Sequence, residues 1–206
     1  SRPFDHKDKE YWSSLGISSS TLEKGQVKAL RKYWILSGKD VMAVNCRNLT
    51  YCYCFGGYKY KIYQPFNPPK FKFITNCNEY QGLSLLPDKG DILIIEKSYK
   101  DVLLLYEFGL PSFSPPSESV IVSEQIMSEM KSRFQKIYTF SDYDNQGIHF
   151  AREMRKRYQT KPLFLSEGIW KRKQGYKGAK DISDYSFLYG KPEALSIMKE
   201  LINGKN

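Results

Sequence analysis

Apolar and polar positions change their period along the chain. Over residues 5–32 the spacing is helical. Tyr11, Trp12 and Leu15 mark one face of a helix from Asp8 to Leu15, and Gly16 stops it. Ser18-Ser19-Ser20 offers an N-cap, and Ser20 with Glu23 has the spacing of a capping box. Leu22, Val27 and Leu30 then extend a second apolar side, interrupted by Gly25. Over residues 41–75 the period shortens. Val41–Val44, Tyr51–Phe55, Tyr58–Tyr63 and Lys70–Ile74 read as strands, with a hairpin at Gly56-Gly57 and a loop at Pro65, Pro68 and Pro69. Lys59 and Lys61 alternate with Tyr58, Tyr60 and Ile62, and Lys70 and Lys72 with Phe71 and Phe73. That alternation predicts an antiparallel sheet with one basic and one aromatic face. The basic face either binds phosphates or is simply solvated.

From Asp91 strands alternate with helices. Ile92–Ile95 is continuously apolar, as in a strand covered on both faces. A helix over Tyr99–Phe108, ended by Gly109, a short strand over Pro111–Phe113 and a helix over Ser123–Phe134 follow. Next come a strand at Ile137–Phe140, a helix at Ile148–Tyr158, a strand at Leu163–Leu165 and a basic loop over 171–180. A last helix runs over Glu193–Ile202. This order predicts an α/β fold with a small parallel sheet in residues 91–206. Ahead of it, residues 1–90 form a helical and antiparallel β part of α+β character.

Composition narrows the class. A hydrophobic share of 41%, with 15% aromatic, supports a packed core and excludes global disorder. No apolar run approaches the ~18 residues that span a bilayer, so no membrane role is expected. Ser1-Arg2-Pro3 reads as a cut point or an engineered remnant, so a longer natural chain is an expectation. Cys46, Cys52, Cys54 and Cys77 contain no Cys-x-x-Cys pair and lie far in sequence from His6 and His149. Reduced thiols in a cytoplasmic compartment therefore fit better than a zinc site. The net charge is +10, of which residues 1–90 hold +7 and residues 91–206 hold +3. Such an excess attracts polyanions in a salt-sensitive way.

The candidate chemistry centres on Asp142-Tyr143-Asp144-Asn145-Gln146-Gly147, which follows the apolar run Ile137–Phe140. Residues two apart on a strand share a face, so Asp142 and Asp144 are expected to point together beyond the strand's C-terminal end. Two carboxylates held close favour a hard cation such as Mg²⁺ or Mn²⁺. The other reading is that Asp144 or Asn145 caps the next helix.

The order of these features resembles the TOPRIM domain of bacterial-type primases, topoisomerases and some nucleases. That family has a strand with Glu-Gly-x-x-Asp, then Asp-x-Asp-x-x-Gly, then Lys-Asp-x-x-Asp/Glu. Asp142 to Gly147 matches the second motif and Lys180-Asp181-Ile182-Ser183-Asp184 the third, so the likeness spans about residues 91–203. Leu15-Gly16-Ile17-Ser18, the Phe55-Gly56-Gly57 hairpin and Lys70-Phe71-Lys72-Phe73 are similar to the first part of bacterial and phage primase cores. The first motif departs. With Asp101 at the family's Asp position, Lys97 falls at the Glu position and Ser98 at the Gly position, while Glu96 lies one residue early. A one-residue slip on a strand turns a side chain to the other face. Glu96 therefore needs a bulge to reach the site, or Lys97 stands in its place.

The resemblance implies a primase catalytic core that makes short RNA primers on single-stranded DNA. Its catalytic residues would be Glu96 or Lys97, with Asp101, Asp142 and Asp144. Asp142, Asp144, Asp181 and Asp184 would hold Mg²⁺ or Mn²⁺. Lys59, Lys61, Lys70 and Lys72 would bind the template, and Lys177 and Lys180 the phosphates of NTPs. A replicative helicase is the further partner, and the bacterial or phage-infected cytoplasm the setting. No Gly-x-x-x-x-Gly-Lys-Ser/Thr loop is present, so the helicase motor would lie elsewhere. A TOPRIM module that binds nucleic acid without catalysis, and a TOPRIM nuclease, are the alternatives.

Overall fold

The computed structural model describes residues 1–117, 119–165 and 178–204. Contacts divide the chain into two units. One comprises Ser1–Ser13 and Ser18–Glu79, the other Ser14–Ile17 and Tyr80–Asn206. Position 90 thus falls inside the second unit. Tyr80 packs edge-on against Phe113, and Gln81 bridges to Ser114, which ties the preceding segment to the parallel sheet.

In the first unit, α1 (His6–Ser14) is followed by α2 (Ser19–Lys24). The N-cap of α2 is Ser18, whose hydroxyl accepts from the Thr21 N–H, and not Ser20. The helix does not continue to Leu30. Gly25 ends it, Gln26 takes a left-handed φ of 51°, and Val27–Ala29 becomes strand β1. An exposed hairpin pairs β2 (Lys32–Ser37) with β3 (Asp40–Asn45); the second strand follows the sequence pattern and the first was not expected. β4 (Tyr51–Cys54), β5 (Tyr60–Tyr63) and β6 (Phe73–Thr75) complete an antiparallel sheet of order β1-β4-β5-β6. Lys70 lies in a 3₁₀ turn over Pro69–Phe71, not in a strand, because consecutive prolines withhold ladder donors. The core here is aromatic: Trp12 meets Tyr51 edge-on at 4.9 Å, and Tyr11 stacks on Tyr51 at 5.7 Å. Asp8 is fully buried beneath a bidentate Arg2. The four cysteines form no disulfide.

The second unit contains a parallel sheet of order β10-β9-β7-β8. Its strands are β7 (Gly90–Ile95), β8 (Ser112–Phe113), β9 (Phe134–Phe140) and β10 (Lys161–Leu163). Between and after them run α3 (Tyr99–Glu107), α4 (Glu124–Arg133), α5 (Asn145–Tyr158), α6 (Ile182–Tyr189) and α7 (Lys191–Ile202). Leu93 and Ile95 of β7 pack with Met127 and Met130 of α4 and Phe150 and Met154 of α5. Ile94, pointing to the opposite face, is equally buried, which explains the uninterrupted apolar run of that strand. α6 packs against α3 and α7.

Candidate active site

Ile95 is in register with Thr139, so β7 and β9 end level with one another. Glu96-Lys97 and Ser141-Asp142 therefore leave the sheet side by side at its C-terminal edge, where ligands of open α/β sheets bind. Past Ile95 the backbone is no longer a strand, and two-residue alternation lapses. Both candidates reach the acidic group as a result. Lys97 Nζ lies 3.6 Å from Asp142 Oδ2. Glu96 is 2% exposed; its Oε2 accepts from the Lys97 N–H at 2.9 Å, while its buried Oε1 has no hydrogen-bond partner among the described residues. Burial pushes the Glu96 carboxyl well above the ordinary range. Asp101 adds to the rise, as do Asp181 and Asp142, while the Lys97 N–H opposes it.

Asp101 stands in the first turn of α3, buried at 1% exposure. It accepts from the Ser98 hydroxyl, and from the backbone N–H (3.1 Å) and hydroxyl of Ser183. Lys100 Nζ lies 3.1 Å from Asp101 Oδ1 and 2.6 Å from Asp181 Oδ2, joining the two carboxylates. Burial and Asp181 push the Asp101 carboxyl up, against Lys100 and the two serine donors. Asp181 also caps α6, its Oδ1 accepting from the Asp184 N–H at 2.8 Å. Lys100 and Ser183 carried no signal in the spacing. Each is a variable position within a family motif, and only the approach of α6 to α3 gives it a role.

Asp142 and Asp144 do not act as a same-face strand pair, because β9 ends at Phe140. Asp142 turns to Lys97, whereas Asp144 is exposed and caps α5, accepting from the Gly147 N–H at 2.8 Å. The glycine of this motif has a steric cause: a Cβ on Gly147 would stand 2.2 Å from the Asp142 carbonyl oxygen. Asp184 lies in the first turn of α6 and accepts from the Lys180 N–H at 3.4 Å. Lys180 is exposed, and Lys177 lies outside the described residues.

The donor types suit Mg²⁺ or Mn²⁺, but their arrangement does not. Among the described residues no three Asp, Glu, His or Cys side chains stand as a set that could hold an ion. The cause is local: Asp142 faces Lys97, Asp181 and Asp101 share Lys100, and Asp144 Oδ1 is engaged in a cap.

In the first unit, the basic and aromatic side chains are not segregated by face. Lys61 stands opposite Tyr53 and two residues from Tyr63, so it shares their side of the sheet. Its ammonium lies 4.8 Å over the Phe73 ring, and Lys72 lies 5.8 Å over Tyr63, which stacks on Phe73 at 5.2 Å. Lys70 lies over Phe71, and Lys59 is paired with Glu79 at 2.6 Å.

No family model and no curated protein matches the sequence. Solved structures do. A DnaG primase catalytic domain bound to ssDNA aligns over 97% of this chain and 75% of its own, with TM-score 0.68 and 11% identity. A DNA primase domain from Pseudomonas aeruginosa aligns over 98% and 73%, with TM-score 0.67 and 11% identity. The primase fragment of the bacteriophage T7 primase-helicase protein aligns over 97% and 78%, with TM-score 0.58 and 13% identity. The chain has the fold of a primase catalytic core, across both units.

Proposed function

We propose that this chain is the catalytic core of a DNA primase, joining ribonucleotides into short primers on a single-stranded DNA template. The observation that carries this reading is the convergence of Glu96, Lys97, Asp101, Asp142 and Asp181 at the sheet's C-terminal edge, within a primase-core fold. A neighbour of that fold has been captured with ssDNA. Lys61 and Lys72, set over Tyr63 and Phe73, offer cations and rings to a strand with its bases unpaired.

Four residues here, Lys97, Lys100, Glu96 and Asp142, have tasks that follow from their surroundings, and Asp101 and Asp181 hold Lys100 in place. The lysines Lys97 and Lys100 hold positive charge where a triphosphate would bring negative charge. Beside them, Glu96, whose pKa burial raises well above the ordinary range, is the candidate proton donor. Asp142, partly exposed, is the carboxylate placed to accept the proton of a primer 3′-hydroxyl. Mg²⁺ or Mn²⁺ enters this scheme as part of the nucleoside triphosphate complex that is the substrate.

The same ion pairs favour a second reading, a TOPRIM-like module that binds nucleic acid without catalysis. One experiment separates the two: incubation with single-stranded DNA, labelled NTPs and Mg²⁺ or Mn²⁺. Short RNA products that disappear in Asp142→Asn are the expected outcome. A salt-sensitive gel shift without product would install the second reading, and shortened DNA would indicate a nuclease.

A further inference from the structure

We infer that Lys97 and Lys100 are resident cations of the acidic cluster, taking the place of a protein-bound divalent ion. The acidic groups that converge at the sheet edge are Glu96, Asp101, Asp142 and Asp181. Three of these already touch an ammonium: Asp142 touches Lys97 at 3.6 Å, and Asp101 and Asp181 touch Lys100 at 3.1 and 2.6 Å. The lysines are not surface groups that happen to lean inward. Their side chains are only 5% and 13% exposed, and both come from the loop and first helical turn directly after β7. Burying an ammonium is unfavourable unless carboxylates surround it, so the lysines and the acids hold one another in place.

The consequence for metal binding follows from charge and distance. Mg²⁺ demands oxygen ligands at about 2.1 Å in near-octahedral array. Here Asp181 Oδ2 is in contact with Lys100 and its Oδ1 is engaged in the α6 cap, while one Asp142 oxygen, Oδ2, faces Lys97. A divalent ion would have to displace an ammonium or sit within a few ångströms of it, against strong like-charge repulsion. Glu96 lies beside them: its Oε2 accepts from the Lys97 N–H at 2.9 Å, and among the described residues its buried Oε1 has no hydrogen-bond donor.

The inference holds whether or not the chain makes primers, and its test uses neither nucleotide nor DNA. Free Mn²⁺ is titrated into the protein and followed by electron paramagnetic resonance, with thermal unfolding in parallel. The wild type should show no saturable site below about millimolar Mn²⁺, a range typical of weak oxygen sites, and no Mn²⁺-dependent rise in Tm. Lys97→Met and Lys100→Met should each gain Mn²⁺ affinity by about tenfold or more, since each removes one repelling charge. If a methionine variant does not fold, Lys97→Gln or Lys100→Gln, which keeps a donor for the carboxylate, replaces it. Tight Mn²⁺ binding by the wild type overturns the inference, and so do folded variants that bind Mn²⁺ no better than the wild type. Loss of primer synthesis with the Mn²⁺ results intact counts against the proposed function alone.

Discussion

Single residues at this site are set by close contacts that tolerate little change. Gly147 is the clearest case. A methyl group there meets the Asp142 carbonyl at 2.2 Å, and backbone cannot move aside as a flexible side chain can. Gly147→Ala should lower stability by about 2 kcal/mol, a Tm fall of roughly 4–8 °C for a chain of this size. It should also move Asp142 away from Lys97. A scan of thermal unfolding checks the first part, and a variant with unchanged Tm would contradict it. Glu96 makes a different demand. Its folded-state pKa is raised, so the folded chain keeps a proton that the unfolded chain releases. Stability should therefore fall as pH climbs above the ordinary glutamate range, until the raised value is passed. Glu96→Gln removes that dependence. The variant should match the wild type near the ordinary glutamate pKa and gain on it as pH rises above that range. Parallel melts from that range upward decide the matter; a wild type whose Glu96 contribution grew with pH would reverse the sign.

At the scale of elements, two helices begin on the carboxylates of the site. Asp144 caps α5 and Asp181 caps α6, so each aspartate serves local structure as well as the local field. Charge and cap can be separated by substitution, because asparagine caps as well as aspartate does. Asp144→Ala should cost about 1 kcal/mol, whereas Asp144→Asn should cost little. A primer-synthesis rate reduced in both variants, with stability reduced only in the alanine one, would assign Asp144 a role beyond the cap. Equal rates in the Asp144→Asn variant and the wild type would leave it a cap alone. The exposed β2–β3 hairpin is an element of another kind. Trp34, Leu36, Val41 and Met42 remain exposed, and its strands pair only with each other among the described residues. An isolated pair of strands is weakly stable at best, so this hairpin contributes little to the core of its unit.

For the whole molecule the relevant quantity is charge. Of the net +10, residues 1–90 carry +7, and they include the Lys61 and Lys72 ammoniums over aromatic rings. Single-stranded DNA binding should weaken linearly on a log–log plot against salt, each phosphate contact adding about 0.7 to the slope. Replacing both Lys61 and Lys72 by Gln should make that slope shallower by roughly 1.4 if each neutralises one phosphate. Fluorescence anisotropy over roughly 50–200 mM salt measures it. An unchanged slope would remove these two lysines from the DNA interface. Lys59, already held by Glu79, should contribute less than either.

The alternation of apolar runs and helical spacing after residue 90 traced the parallel strands and most of their helices, since strands covered on both faces and amphipathic helices leave a plain trace in hydropathy; it did not show α6 (Ile182–Tyr189), and it set the last strand at Leu163–Leu165 where the structure has Lys161–Leu163. The spacing of Asp142, Asp144 and Gly147, and of Lys180, Asp181 and Asp184, was likewise enough to locate the acidic loops. Sequence could not decide what those loops do with their carboxylates. Glu96 and Lys97 looked like exclusive candidates because strand alternation was assumed to continue. The strand stops at Ile95, and both side chains turn into the site. Nor did spacing disclose Lys100 or Ser183, whose partners Asp181 and Asp101 lie 81 and 82 positions away along the chain. Periodicity is a property of neighbouring residues, and so survives in a one-dimensional reading. The pairing of Lys97 with Asp142 and of Lys100 with Asp181 depends on which strand and helix ends meet, and that is decided only when the sheet and its helices pack.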